Sequence, residues 1–447
     1  MRNRSLGTRL LTCVLCFFMM FEWPVQAEGL GGSNWANHRA VGGDFNGMGW
    51  SSVLYQPLAG AFHVGVLLSQ ADGSLAPAVD WSKTQDGVDW SGKTHRVVVG
   101  DFTGNGRDAV LLQGEPGFTS AVFVPGPRGK HYKEVPQGPF STIGNLTVAT
   151  HHLVVGDFAG NGRDDLFLQA SYSGGADGVT LAGPHGGFRN LAASFDGGAL
   201  GLAWSDLTTS IVAGDFPGDG RAELLLRSRG ETGSSACCHL VRLSRSGVPE
   251  RIVQSWTGDH LGIDWASTAH RVVVADLTGD GRDDLLLQPR TPTGHVEVLL
   301  SGPSGKIGGL TARWSAMTGG VDWSTESYEL VPDQVTTPSG GGSVLMVPRV
   351  VGLPYRRAFF GPTGQLLKVE TVVAPSGPYG PENRARIRPC QAGPGASPQV
   401  VMAPVADRSA GWGWRGRRAG PPLPRRRRAA QAVLRPRRSG RCRASSR

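Results

Sequence analysis

The apolar positions of this chain come in short solid runs closed by polar turns, such as Val272–Ala275 and Leu285–Leu287. Runs of that length suit strands covered on both faces. They also recur. The segment VVGDFTGNGRDAVLLQ at 98–113 returns as VVGDFAGNGRDDLFLQ ending at Gln169, VAGDFPGDGRAELLLR ending at Arg227 and VVADLTGDGRDDLLLQ ending at Gln288. A weaker copy, VGGDFNGMGWSSVLYQ, ends at Gln56. The leading aspartates are Asp44, Asp101, Asp157, Asp215 and Asp276, spaced by 57, 56, 58 and 61 residues. Another 57 residues reaches Asp333, where the loop has decayed but the flanking strand pattern persists.

The remainder of each period repeats too. Trp90, Trp204 and Trp265 each stand eleven residues before a leading aspartate; Trp35 and Trp323 hold the place with a slip of one or two, and Leu146 replaces it once. A mid-period strand runs into a Gly-Pro-type turn in FVPGPRG, TLAGPHG, LLSGPSG and FFGPTG. Each period therefore predicts four short strands, with the loop joining the first two. Four antiparallel strands repeated around an axis make a β-propeller, which leaves few open sheet edges. The fold class expected is all-β, a propeller of six to seven four-stranded blades over residues 28–375, with the recurring Trp packing between blades.

Composition agrees: 66 Gly, 30 Pro and 18% charged residues favour turns and strands over helices. Outside the N-terminus no apolar stretch is long enough to span a membrane. Arg2, Arg4 and Arg9, the apolar run Leu10–Phe21 and Val25-Gln26-Ala27 form an export signal with cleavage expected after Ala27. Cys13 and Cys16 would leave with it, and Cys237, Cys238, Cys390 and Cys442 make no disulfide framework. The secreted, extracellular or cell-surface location follows from the signal.

The net charge of +9 conceals two opposite parts. Residues 407–447 hold fourteen Arg against one acid, or +13, so residues 1–406 carry −4, and residues 28–406 carry −6 once the +2 of the signal is removed. Residues 376–406 form a Pro/Gly/Ala-rich linker. The Arg-rich tail has the composition of a polyanion-binding arm, yet it lacks Lys, and Arg, Pro, Ala and Gly share GC-rich codons. That balance favours a disordered tail translated out of frame. No nucleic acid is expected to bind the propeller.

The loops carry the candidate chemistry. Counting the leading Asp as position 1, they present oxygens at 1, 3 and 5, a carbonyl at 7 and a carboxylate at 9, an alternation that suits a hard Ca²⁺ ion. The fifth loop is the fullest, with Asp276, Thr278, Asp280, the Arg282 carbonyl and Asp284. The third offers Asp157, Asn161, the Arg163 carbonyl and Asp165, and the fourth Asp215, Asp219, the Arg221 carbonyl and Glu223. The second offers Asp101, Thr103 and Asn105, but Ala109 holds its ninth place. Asx turns without metal are the competing reading.

The GDFxGxGRxDL pattern resembles the FG-GAP, or VCBS-type, repeat of integrin α-chain propellers and many secreted bacterial proteins, over roughly Asn34–Thr371. The resemblance implies calcium in the loops and, usually, seven blades. His38, His95, His151 and His270 each stand six residues before a loop aspartate, which marks a repeated structural position and not a catalytic base. No nucleophile elbow, zincin helix or phosphate loop is present. Three function classes follow. The leading one is a non-enzymatic binding or scaffold module with a protein or carbohydrate ligand. The others are the N-terminal part of an Rhs/YD-repeat-type surface or toxin protein, and a propeller polysaccharide lyase or hydrolase.

Overall fold

The computed structural model describes residues 37–374, apart from 60–62, 83, 86, 130–131, 136–145, 173–174, 196–197, 230–235, 266–268, 335–336 and 338–339. The signal, the linker, the tail and Trp35 lie outside the described residues.

Each period folds into one four-stranded antiparallel meander, giving six sheets over residues 38–82, 95–135, 151–195, 209–257, 270–315 and 328–371. We call these blades 1 to 6. The six-to-seven expectation resolves to six. The first two strands of a blade pair in register around the loop, as in His270↔Pro289 through Ala275↔Asp284. A small extra hairpin, Thr84–Gln85 with Val88–Asp89, follows blade 1. Among the described residues no helix is long and apolar enough to cross a membrane.

The solid apolar runs are explained by the packing. Both faces of a blade press on a neighbour, so adjacent positions on one strand serve different cores. Leu286 of blade 5 packs with Leu330 and Met346 of blade 6, whereas Leu285 and Leu287 pack with Phe216 and Leu225 of blade 4. Trp90, Trp204, Trp265 and Trp323 are fully buried in such cores, and Leu146 takes the place in blade 3. The first strands touch in succession around a ring, and that of blade 6 touches that of blade 1.

Closure is made without sharing a blade between the two ends of the fold. Val53 and Tyr55 of blade 1 pack on Val331 and Leu345 of blade 6. The Gln334 N–H donates to the Gly49 carbonyl at 2.7 Å, and the Leu75 N–H donates to that of Val373 at 2.8 Å.

Candidate functional site

Each loop begins with an aspartate that folds back on its own turn. Oδ1 of Asp276 accepts the N–H groups of Gly279 at 2.7 Å and Asp280 at 3.2 Å, and Oδ2 accepts that of Gly281 at 2.8 Å. Asp157 does the same with Gly160, Asn161 and Gly162, Asp215 with Asp219 and Gly220, and Asp101 with Asn105 and Gly106. Gly281 has φ of +82°, a conformation that a side chain would strain. Position 5 builds a second turn: Asn105, Asn161, Asp219 and Asp280 each accept the N–H two residues on. The Thr103 hydroxyl donates to Asp101 at 3.3 Å.

The ninth position ties the loop to the third strand. Asp284 accepts the N–H of Leu277 at 3.1 Å and that of Ser301 at 2.9 Å. Asp165 accepts those of Ala159 at 3.1 Å and Ala182 at 2.8 Å. The guanidinium groups of Arg163, Arg221 and Arg282 donate to the carbonyls of Ala182, Leu243 and Ser301, so position 7 clasps the same strand end.

Two positions that the sequence analysis passed over join neighbouring blades. At position 8, Asp108 accepts the Asp44 N–H at 2.6 Å, Asp164 that of Asp101 at 2.7 Å, and Asp283 that of Asp215 at 2.7 Å. Gly43 and Gly100 make room: a Cβ on Gly43 would lie 2.9 Å from an Asp108 oxygen and 2.6 Å from a Val99 methyl. At the other end of the seam stands the Gln near the end of the second strand in blades 1, 2, 3 and 5, which Arg227 replaces in blade 4. Gln56 donates to the carbonyls of Trp90 and His95, Gln169 to Trp204 and Thr209, and Gln288 to Trp323 and Tyr328, all at 2.8–3.0 Å. The recurring histidines are framework as well. His38 bonds to the His63 carbonyl at 2.9 Å, and His95 to those of Asp89 and Thr119.

A calcium ion would need several of these oxygens to converge. Among the described residues no three acidic, His or Cys side chains are arranged to hold a metal. The carboxylate oxygens accept backbone N–H groups, although an ionised carboxylate has lone pairs left for a cation. In loop 5 Asp280 is paired with Arg282, but the ninth carboxylate, Asp284, has no arginine partner among the described residues, and there the donor chemistry fits. Thr278 Oγ1 is buried with no partner among the described residues. Asp284 is pushed up to about 7, first by burial and further by Asp280 and Asp276. Loop 4 does not fit, because its acids already have a cation. Arg242 donates to Asp219 at 2.6 Å and to Glu223 at 3.3 Å. Blade 6 uses the same device, with Arg357 bonded to Asp333 at 2.8 Å.

Cys237 and Cys238 are buried side by side in the core between blades 4 and 5, with their sulfurs 3.2 Å apart. Burial pushes the Cys238 thiol far up, so it is a packing group.

No protein-family model and no curated protein matches the chain. Solved structures do. A lectin of Agrocybe aegerita that recognises non-reducing terminal N-acetylglucosamine matches with 17% identity and a TM-score of 0.51, over 77% of this chain and 83% of the lectin. AofleA of Arthrobotrys oligospora matches with 12% identity and a TM-score of 0.45, over 76% and 87% of the two chains. The periplasmic gluconolactonase PpgL of Pseudomonas aeruginosa matches with 18% identity and a TM-score of 0.35, over 60% and 67%. At these identities the likeness concerns the propeller fold alone.

Proposed function

We propose that the chain is an exported propeller that acts as a non-enzymatic binding or scaffold module for a glycan or protein, built on an FG-GAP-type repeat and stapled by calcium at loop 5. One observation carries the reading: the repeated acids and the His38 and His95 side chains hold turns, strand ends and neighbouring blades together. A group so engaged is held by the framework and lacks the freedom that proton transfer to a substrate requires.

Ligand contact then falls to the connections that vary between blades. Phe118 and Tyr172 occupy the turns after the second strands of blades 2 and 3, and they are 46% and 49% exposed. Exposed aromatic rings on one face offer flat apolar platforms of the kind that binding surfaces use. A glycan array on the full-length protein, with a panel of glycoside and lactone substrates alongside, tests the reading. Binding without turnover is expected, and Phe118→Ala with Tyr172→Ala should weaken it at least tenfold. Turnover that survives purification would replace the module by an enzyme.

A further inference from the structure

The face opposite the loops carries a second constellation, which no repeat motif announced. The first strands, which line the axis, are His38–Gly43, His95–Gly100, His151–Gly156, Thr209–Gly214, His270–Ala275 and Tyr328–Pro332. Their second residues are Arg39, Arg96, His152, Ser210, Arg271 and Glu329. These side chains meet from blade to blade. Arg96 Nη1 lies 2.9 Å from His152 Nδ1, and Arg271 pairs with Glu329. Glu329 is shared with Arg349 and Asp206 is held by Arg229 at 2.9 Å, so these two acids already have cations, while Glu115 also stands within electrostatic reach of Arg96. Arg39 has no hydrogen-bond or ion-pair partner among the described residues, although it stands within electrostatic reach of Arg96, His152 and Arg271.

The ring therefore concentrates positive charge in a half-buried place. Burial first, and neighbouring guanidiniums next, lower the proton affinity of Arg96 and push His152 down to about 4, so His152 is neutral and presents a lone pair or an N–H as its tautomer dictates. Arg39 meets like charge from Arg96 on one side and Arg271 on the other, and although Glu329 offsets Arg271, an anion bound at Arg39 would relieve that repulsion. Guanidinium forks suit planar or tetrahedral oxygen groups, which they bind through paired N–H donors. Gln clamps next to the ring already join blades 1 and 2, 2 and 3, 3 and 4, and 5 and 6.

We propose that the axial ring of Arg39, Arg96 and Arg271 binds an oxyanion, the carboxylate or phosphate group of a small molecule or of a chain end. This goes beyond the glycan reading and does not depend on it: the ring takes the anionic group whatever the exposed aromatics hold.

The test is a thermal-shift titration of the full-length protein with sodium phosphate and with sodium glucuronate, each against sodium chloride at equal ionic strength. A saturable rise of the melting temperature with either anion is expected. Phosphate alone acting would identify a phosphoryl ligand, and glucuronate acting would identify a carboxylate. Arg39→Gln should weaken the apparent affinity at least tenfold, and because Arg39 has no partner to lose, the fold should survive. Ser210→Asp supplies an internal carboxylate to the ring and should abolish the shift while raising the anion-free melting temperature. The Arg-rich tail is common to every variant, so binding that it contributes would persist in all of them. No saturable shift beyond chloride, or shifts unchanged in both variants, would overturn the assignment.

Discussion

Asp177 stands inside blade 3 with Oδ1 accepting the Ala170 N–H at 2.9 Å and Oδ2 buried without a partner among the described residues. Burial pushes its carboxyl up to about 6, against the opposing pull of that N–H. A carboxyl raised in the folded state adds stability below its unfolded value, near 4, and that stability is lost as the pH climbs through about 6. Asp177→Asn keeps the acceptor and removes the charge. Its melting temperature should exceed the parent's at pH 8, by a margin on the order of 2 kcal/mol in stability, and match it near pH 4. An equal gain at both values would mean that the charge is not the cause. Gln169 makes the complementary case. Its truncation to Ala would leave the Trp204 and Thr209 carbonyls buried and unbonded, at a cost of about 2–4 kcal/mol in urea unfolding. A change below about 0.5 kcal/mol would show that water replaces the amide. The Gln was visible in four copies of the repeat and the position-8 aspartate in three, but the partners of the Gln lie 35–40 residues away on the next blade. Reading along one loop for ligands points to oxygens within that loop and cannot show an oxygen turned outward.

Among the elements, the loops were the most legible part of the chain, because alternating oxygens around glycine restrict both backbone and chemistry. What the alternation left open was the cation. Blades 4 and 6 answer it internally with Arg242 and Arg357, whose third-strand positions carry no motif. Loop 5 has no such arginine at its ninth carboxylate, and there calcium remains the proposed partner. Chelation should lower the melting temperature of the full-length protein, and calcium at a hundred times its dissociation constant should restore about 2.7 kcal/mol. Thr278→Val is the sharper probe. It removes the unpartnered buried hydroxyl at constant shape, so calcium stabilisation should shrink while the metal-free melt stays near that of the parent. A melting curve that ignores chelator would leave loop 5 as a plain turn. Replacing Arg242 by Leu, the residue at the corresponding place in blades 3 and 5, frees Asp219 and Glu223 and should add a second calcium-dependent increment.

For the whole molecule, the number of blades was decided by closure, a property that no single repeat contains. Blade 6 lacks the loop, so motif counting could not say whether a seventh unit followed it. Its decayed segment serves instead as the joint with blade 1. Asp333 accepts the Ser51 N–H at 2.7 Å and the Arg357 guanidinium at 2.8 Å. Arg357 in turn donates to the Gly73 carbonyl at 2.6 Å and lies 4.4 Å over the Trp50 ring. Tyr55 and Tyr355 bond across the same joint. Asp333 and Arg357 are both buried, so each is tolerated there because of the other. Removing one partner of such a pair strands the remaining charge, which costs about 3–5 kcal/mol, whereas neutralising both costs much less. Arg357→Met should therefore lower the urea midpoint sharply and speed amide exchange in blades 1 and 6 ahead of blades 3 and 4. Adding Asp333→Asn should recover much of the loss, since an amide oxygen still accepts the Ser51 N–H without a charge to strand. If the single variant costs under about 1 kcal/mol, or if exchange quickens evenly around the ring, the apolar contact of Val53 and Tyr55 with Val331 and Leu345 holds the ends together and the ion pair does not.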